Sequence, residues 1–213
     1  MKEWADRYAG RFDDGWDAYR ERVFVQAKEK GWIPQDAQLT PRDPTMDAWD
    51  DIPDAQKPFQ SRLMEVAAGF AEHADVQAGR LIDELEALGY GDDTLIFYIW
   101  GDNGSSGEGQ NGTISELLAQ NMIPTTVDMH IEALDALGGL DVLGSPKVDN
   151  QYHAAWAWAG STPYKGMKLL PSHLGGTRNP MAVRWPGRIA ADPTPRSQFH
   201  HCNDVVPTLY ELI

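Results

Sequence analysis

The run Thr94–Trp100, Thr-Leu-Ile-Phe-Tyr-Ile-Trp, is apolar on both of its alternating faces and stops at Gly101. A strand of that kind needs cover on both sides, which helices usually supply. A long helical pattern precedes it, from about Asp54 to Leu88. Phe59, Leu63, Val66, Phe70, Val76, Leu81, Leu85 and Leu88 form its apolar stripe, and Gly89 closes it. A helix followed by a doubly covered strand predicts an α/β fold. Beyond the strand, Gly101-Asp102-Asn103-Gly104 opens a loop of small residues that runs to Gly112.

In open α/β sheets, ligands gather at the C-terminal ends of the strands. Asp102 offers a charged oxygen and Asn103 a neutral one, both suited to a hard cation such as calcium or magnesium. With an amide in place of a second carboxylate, the ion stays less neutralised and an anionic substrate oxygen can join its shell. Asn-Gly is equally a leading turn signal. At this point a turn and a metal site both account for the stretch.

The remaining chain narrows the classes. With 18 basic and 32 acidic residues, the net charge of -14 argues against a nucleic-acid partner, which would need a basic face. No stretch of about 18 apolar residues is present, so no membrane-spanning helix is expected. The opening Met-Lys-Glu-Trp-Ala-Asp-Arg-Tyr lacks the apolar core of a secretory signal. Cys202 is the only cysteine, which leaves no internal disulfide and no multi-thiolate zinc site.

Residues 13–30 predict a helix through Trp16, Tyr19, Val23 and Ala27, capped by Asp13 or Asp14 and ended by Gly31. Residues 32–53 read as an irregular, proline-rich surface connection. Residues 113–121 predict a short helix with Thr113 as N-cap and Glu116 at capping-box spacing. A small aromatic segment covers 153–160, a second strand 180–187, and a final helix follows Asp204 as its cap, with Pro207 in the first turn.

Two further groups bear on chemistry. Lys168 and His173 lie in Lys-Gly-Met-Lys-Leu-Leu-Pro-Ser-His-Leu-Gly-Gly. A lysine is a compact charge able to grip a sulfate or phosphate oxygen, though a solvated lysine and a loop histidine explain the pair as well. His200, His201, Cys202 and Asp204 are too close in sequence to point at one ion, so packing and a cap are expected there.

Three stretches, YIWGDNGSSGEGQNGTISE, WAWAGSTPYKGMKLLPSHLGGTRNPMAVRWPG and HHCNDVVPTLYEL, occur in the order found in arylsulfatases, which the chain resembles over nearly its whole length. The resemblance is to the type I, formylglycine-dependent sulfatases of the alkaline-phosphatase-like superfamily. It implies a mostly parallel sheet between helices, incomplete at both ends. Residues 1–213 would then be the central segment of the catalytic domain. Of these, 1–53 would form surface helices and a connection, and 54–213 an α/β segment with half of the metal site. By the resemblance, Asp102 and Asn103 match the second half of a Ca2+ site. Lys168 matches the lysine that contacts sulfate, with Lys165 three residues earlier as the alternative.

In that family a formylglycine, made from the cysteine of Cys-x-Pro-x-Arg, attacks sulfur as a geminal diol while calcium and lysine offset charge on the sulfuryl oxygens. No such motif is present. Cys202 is followed by Asn-Asp-Val-Val, and Ser161-Thr-Pro-Tyr-Lys165 falls after Asp102, whereas the nucleophile of the family precedes it. The first carboxylate pair is missing as well. The resemblance therefore implies sulfate ester hydrolysis in a longer parent protein and an inactive isolated segment. A phosphodiesterase or phosphonate monoester hydrolase of the same superfamily, or a non-catalytic anion-binding relative, are the alternatives. Compartment and oligomeric state stay open.

Overall fold

The structure, a computed structural model, describes residues 1–101 and 103–212. Its elements are α1 (Lys2–Asp6), α2 (Gly15–Glu29), α3 (Lys57–Ala87), β1 (Ile96–Ile99), α4 (Glu116–Gln120), α5 (Val127–Leu137), α6 (Ala154–Gly160), β2 (Met181–Arg184) and α7 (Val205–Leu212). α3 starts with Pro58 in its first turn, where a missing N–H does no harm. It ends at Gly89, which takes a left-handed conformation with φ 82 while Tyr90 N–H donates to the Leu85 carbonyl at 3.0 Å. α1 packs directly on α3 at Gly69, where an added Cβ would stand 2.6 Å from the Ala5 nitrogen. Only glycine admits so close a backbone approach.

Two apolar clusters hold the chain. In the first, Phe12 and Trp16 meet Trp49, Trp156, Trp158 and the alanines of α6. Trp16 stands edge-on to Trp49 at 4.8 Å and to Trp156 at 5.6 Å. Its indole N–H donates to the Asp47 carbonyl (3.2 Å), and that of Trp156 to the Gln60 carbonyl (3.2 Å), so neither buries an unpaired donor. In the second, Phe59, Leu63 and Val66 of α3 pack with Ala5, Leu134, Val142 and Leu143. Residues 32–53 thus bring core side chains, Trp49 and Ile52, as well as surface.

His153 caps α6: its Nδ1 accepts from the Ala155 N–H at 2.9 Å, and its ring stacks on Trp16 at 4.6 Å. Burial pushes its pKa from an ordinary 6.5 down to about 4, against a small opposing pull from Asp47. The folded state therefore resists a proton that the unfolded chain takes up near pH 6.5. This stability is complete above that pH and is lost as pH falls through 4. The shift corresponds to about 3 kcal/mol. Urea unfolding between pH 7 and 4 should show this loss, and His153→Asn, whose amide oxygen takes the place of Nδ1 as cap acceptor, should remove that part of the slope.

The sheet departs from expectation. β1 pairs only with β2, antiparallel, from Ile96 opposite Arg184 to Ile99 opposite Met181. Among the described residues there is no third strand, and the one parallel contact is an isolated bridge between Ser115 and Asp149. The helical cover expected on both faces of residues 94–100 is incomplete among the described residues: Ile99, Trp100, Met181 and Val183 are exposed. The stripe of α3 divides in the same way: Phe59, Leu63 and Val66 are buried, whereas Phe70, Leu81 and Leu88 lie open.

Three capping expectations are corrected. Ser115, not Thr113, occupies the N-cap of α4. The Thr113 hydroxyl is spent on Ser115, accepting from its N–H and donating to its carbonyl, while the Thr113 backbone bridges Gln151. Asp14 stands at the N-cap of α2 without capping it, because its carboxylate pairs with Arg22. Asp204 reaches back to the His201 N–H at 2.8 Å, and the His201 ring accepts from Asn203 N–H. His201 thus caps the short turn that leads into α7.

Candidate active site

The glycine-rich loop after β1 is laced to residues 161–179 through its backbone. Gly104 N–H donates to Asn179 Oδ1 at 3.1 Å, and Lys168 N–H donates to the Ser105 carbonyl at 2.9 Å. Gly104 has φ 83, and a side chain there would collide with the Gly175 carbonyl. Gly175 in turn lies against Gly166, with its N–H donating to the Lys165 carbonyl at 3.1 Å. Three glycines thus let three backbone segments touch, which is the close approach that larger residues forbid.

This lacing sets Lys168 beside the loop that carries Asn103. The Lys168 ammonium donates to Glu108 Oε2 at 2.8 Å, and the Ser106 hydroxyl donates to the same oxygen at 2.8 Å. The two side chains are 27% and 24% exposed. Lys168, and after it Ser106, hold the Glu108 carboxyl below the usual carboxylate range. Leu169, next in sequence, has φ 76, a conformation unfavourable for a branched side chain, so the turn at Lys168 is held by its surroundings.

Of the residues singled out in the sequence, Asp102 lies outside the described residues. Asn103 is exposed, and its amide makes no hydrogen bond among the described residues. Its oxygen is the donor type a hard cation takes. No group of three or more His, Cys, Asp or Glu among the described residues could close a coordination shell. Lys165 is exposed and supplies its carbonyl to Gly175 N–H. His173 is half-buried, and its carbonyl accepts from Gly176 N–H. Cys202 is an exposed free thiol, and Ser161 donates its hydroxyl to the Ala157 carbonyl inside the fold.

Sequence reasoning missed Glu108 and Arg20. Arg20 is 1% exposed. Its guanidinium donates to the carbonyls of Trp158 (2.7 Å) and Tyr164 (3.0 Å) and to the Thr40 hydroxyl (2.7 Å), and it stacks over Trp158 at 4.2 Å. It therefore ties α2 to the segment leading to Lys165 and Lys168. Burial lowers its pKa to about 10, so it stays cationic. A signal was available: Arg20 falls four residues after Trp16, on the apolar face of α2.

The Sulfatase family model matches residues 1–213. The chain belongs to the sulfatase family. Membership implies the alkaline-phosphatase-like α/β fold for the domain as a whole, of which the described residues form a helix-rich part with a two-stranded sheet. Among its relatives is an uncharacterized sulfatase of Schizosaccharomyces pombe, 29% identical over 212 residues, or 99% of this chain and 36% of the relative. An arylsulfatase of Klebsiella aerogenes is 25% identical over 211 residues, or 99% of this chain and 42% of the relative. This sulfatase chain therefore spans less than half the length of the curated relatives it matches. Among the described residues no helix is long and apolar enough to cross a membrane.

Proposed function

We propose that the protein carrying this segment hydrolyses sulfate esters, aryl sulfates among them. Lys168 would contact the sulfuryl group, and Asp102 and Asn103 would supply part of a calcium site. The observation that supports this reading is the bond from Lys168 N–H to the Ser105 carbonyl, which sets the backbone of Lys168 beside the loop two residues on from its hard-oxygen donor, Asn103. Charge on a sulfuryl group resides on its non-bridging oxygens. A fixed ammonium needs little reorganisation to meet that charge as the ester bond breaks. One of the three Lys168 donors is taken by Glu108, which leaves two for substrate oxygens.

The donor chemistry of Asn103 fits a hard cation, and when bound such an ion would neutralise sulfuryl charge as a Lewis acid. Formylglycine does not fit any residue of this chain. Cys202 stands in no Cys-x-Pro-x-Arg motif and is exposed at the start of the turn before α7. No nucleophilic step is therefore assigned to residues 1–213.

Rates on 4-nitrophenyl sulfate and on bis(4-nitrophenyl) phosphate test the assignment. The intact protein is expected to favour the sulfate ester, and residues 1–213 alone are expected to turn over neither. A preference for the phosphate diester would move the protein to the phosphodiesterase branch. Turnover by 1–213 alone, lost on Asn103→Ala, would contradict the division of the site.

A further inference from the structure

Glu108 is built into the loop more firmly than a chance surface partner of a lysine would be. Glycines flank it: a Cβ at Gly109 would collide with the Tyr152 carbonyl, and one at Gly107 would stand 2.5 Å from Met167 Sδ, so that side chain would have to move. Met167 is the residue before Lys168, so its side chain packs on the loop beside Glu108. The Glu108 side chain is fixed as well. Glu108 N–H donates to Ser106 Oγ at 3.3 Å, and that hydroxyl donates to Glu108 Oε2, the oxygen that also accepts from Lys168.

From this geometry we propose that Glu108 is a positioning residue that sets the Lys168 ammonium before substrate arrives. The proposal rests on the reading that Lys168 contacts the sulfuryl group. A lysine side chain has four rotatable carbons, and ordering it at the moment of binding would be charged against affinity and orientation. Glu108 orders it in advance. The arrangement has an opposing electrostatic effect, because a carboxylate beside the site also repels an anionic ester. Glu108 therefore weakens the ground-state attraction and improves the geometry of reaction.

The two effects separate in kinetics. In the intact protein, Glu108→Gln should lower KM for 4-nitrophenyl sulfate about threefold, since a repelling charge several ångströms away is removed. It should lower kcat about 10- to 100-fold, since the ammonium loses its set position. Glu108→Asp should recover part of kcat. A merely structural role would reduce the active fraction, so kcat would fall with KM unchanged.

A second readout does not depend on turnover. With 13C-methylated lysines, the Lys168 resonance, assigned by Lys168→Arg, should differ between wild type and Glu108→Gln. Adding inorganic sulfate should narrow the difference. A Glu108→Gln protein with unchanged KM and an unchanged Lys168 resonance overturns the proposal, provided Lys168→Ala abolishes turnover. If Lys168→Ala itself leaves turnover intact, the reading of Lys168 fails instead.

Discussion

Lys168→Ala in the intact protein is expected to lower kcat/KM for an aryl sulfate by about 100- to 1,000-fold, the range seen when one preorganised charge stabiliser is removed from an active site. Two effects combine. The substitution removes the ammonium proposed to meet the sulfuryl oxygens, and it leaves the Glu108 carboxylate without its partner at 2.8 Å. The bare carboxylate then repels the ester. Lys168→Ala combined with Glu108→Gln should accordingly be several-fold more active than Lys168→Ala alone. The loss should not be one of folding. A pair about one-quarter exposed contributes on the order of 1 kcal/mol. Thermal unfolding of the single variant should therefore stay within a few degrees of wild type, which a melting curve beside the kinetics checks.

Arg20→Met should destabilise the chain by about 1–3 kcal/mol. No carboxylate pairs with Arg20 among the described residues. Carbonyls and hydroxyls of Trp158, Thr162, Thr40, Pro163 and Tyr164 share its charge. Methionine fills much of the volume, yet leaves the part-buried Tyr164 carbonyl without a donor, and it strips one donor each from the Trp158 and Pro163 carbonyls, which keep Ser161 N–H and Thr40. Each buried acceptor left bare costs about 1–3 kcal/mol, less whatever water recovers. Arg20→Lys keeps the charge but offers a point in place of a planar fork, so it should recover only part of the loss. Denaturant unfolding of the three proteins measures both differences. An Arg20→Met protein within 1 kcal/mol of wild type would show that the guanidinium does not hold the 158–164 segment.

Local pattern made much of the chain legible. The 54–88 stripe forms a helix over Lys57–Ala87, and the 13–30 pattern forms one over Gly15–Glu29, because a 3.6-residue period and a closing glycine are properties of neighbouring residues. Residues 94–100 form their strand over Ile96–Ile99, but its partner is not legible there. Antiparallel pairing with Met181–Arg184 is a contact over more than eighty residues, which no local period encodes. The start of α4 was misplaced for a related reason. Thr113 has the side chain of a cap, yet a bridge to distant Gln151 fixes its backbone as extended.

The same distinction runs through the site. Gly101, Asn103 and Gly104 stand out in sequence because a strand end followed by small residues is a local signal. The partner of Lys168 does not stand out, since Glu108 lies sixty residues away and looks like any acid in a loop. Arg20 was hidden differently: an arginine on a helix reads as solvated unless its place on the apolar face is noticed.

The central claim is that the loop after β1 and the segment around Lys168 form one site for a tetrahedral anion. A crystal structure of the intact protein with calcium and inorganic sulfate tests it most directly. The expected result is a sulfate oxygen about 3 Å from Lys168 Nζ. The Asn103 amide oxygen should lie about 2.4 Å from the cation. Sulfate and calcium bound elsewhere, with Asn103 facing solvent and Lys168 engaged by Glu108 alone, would contradict it.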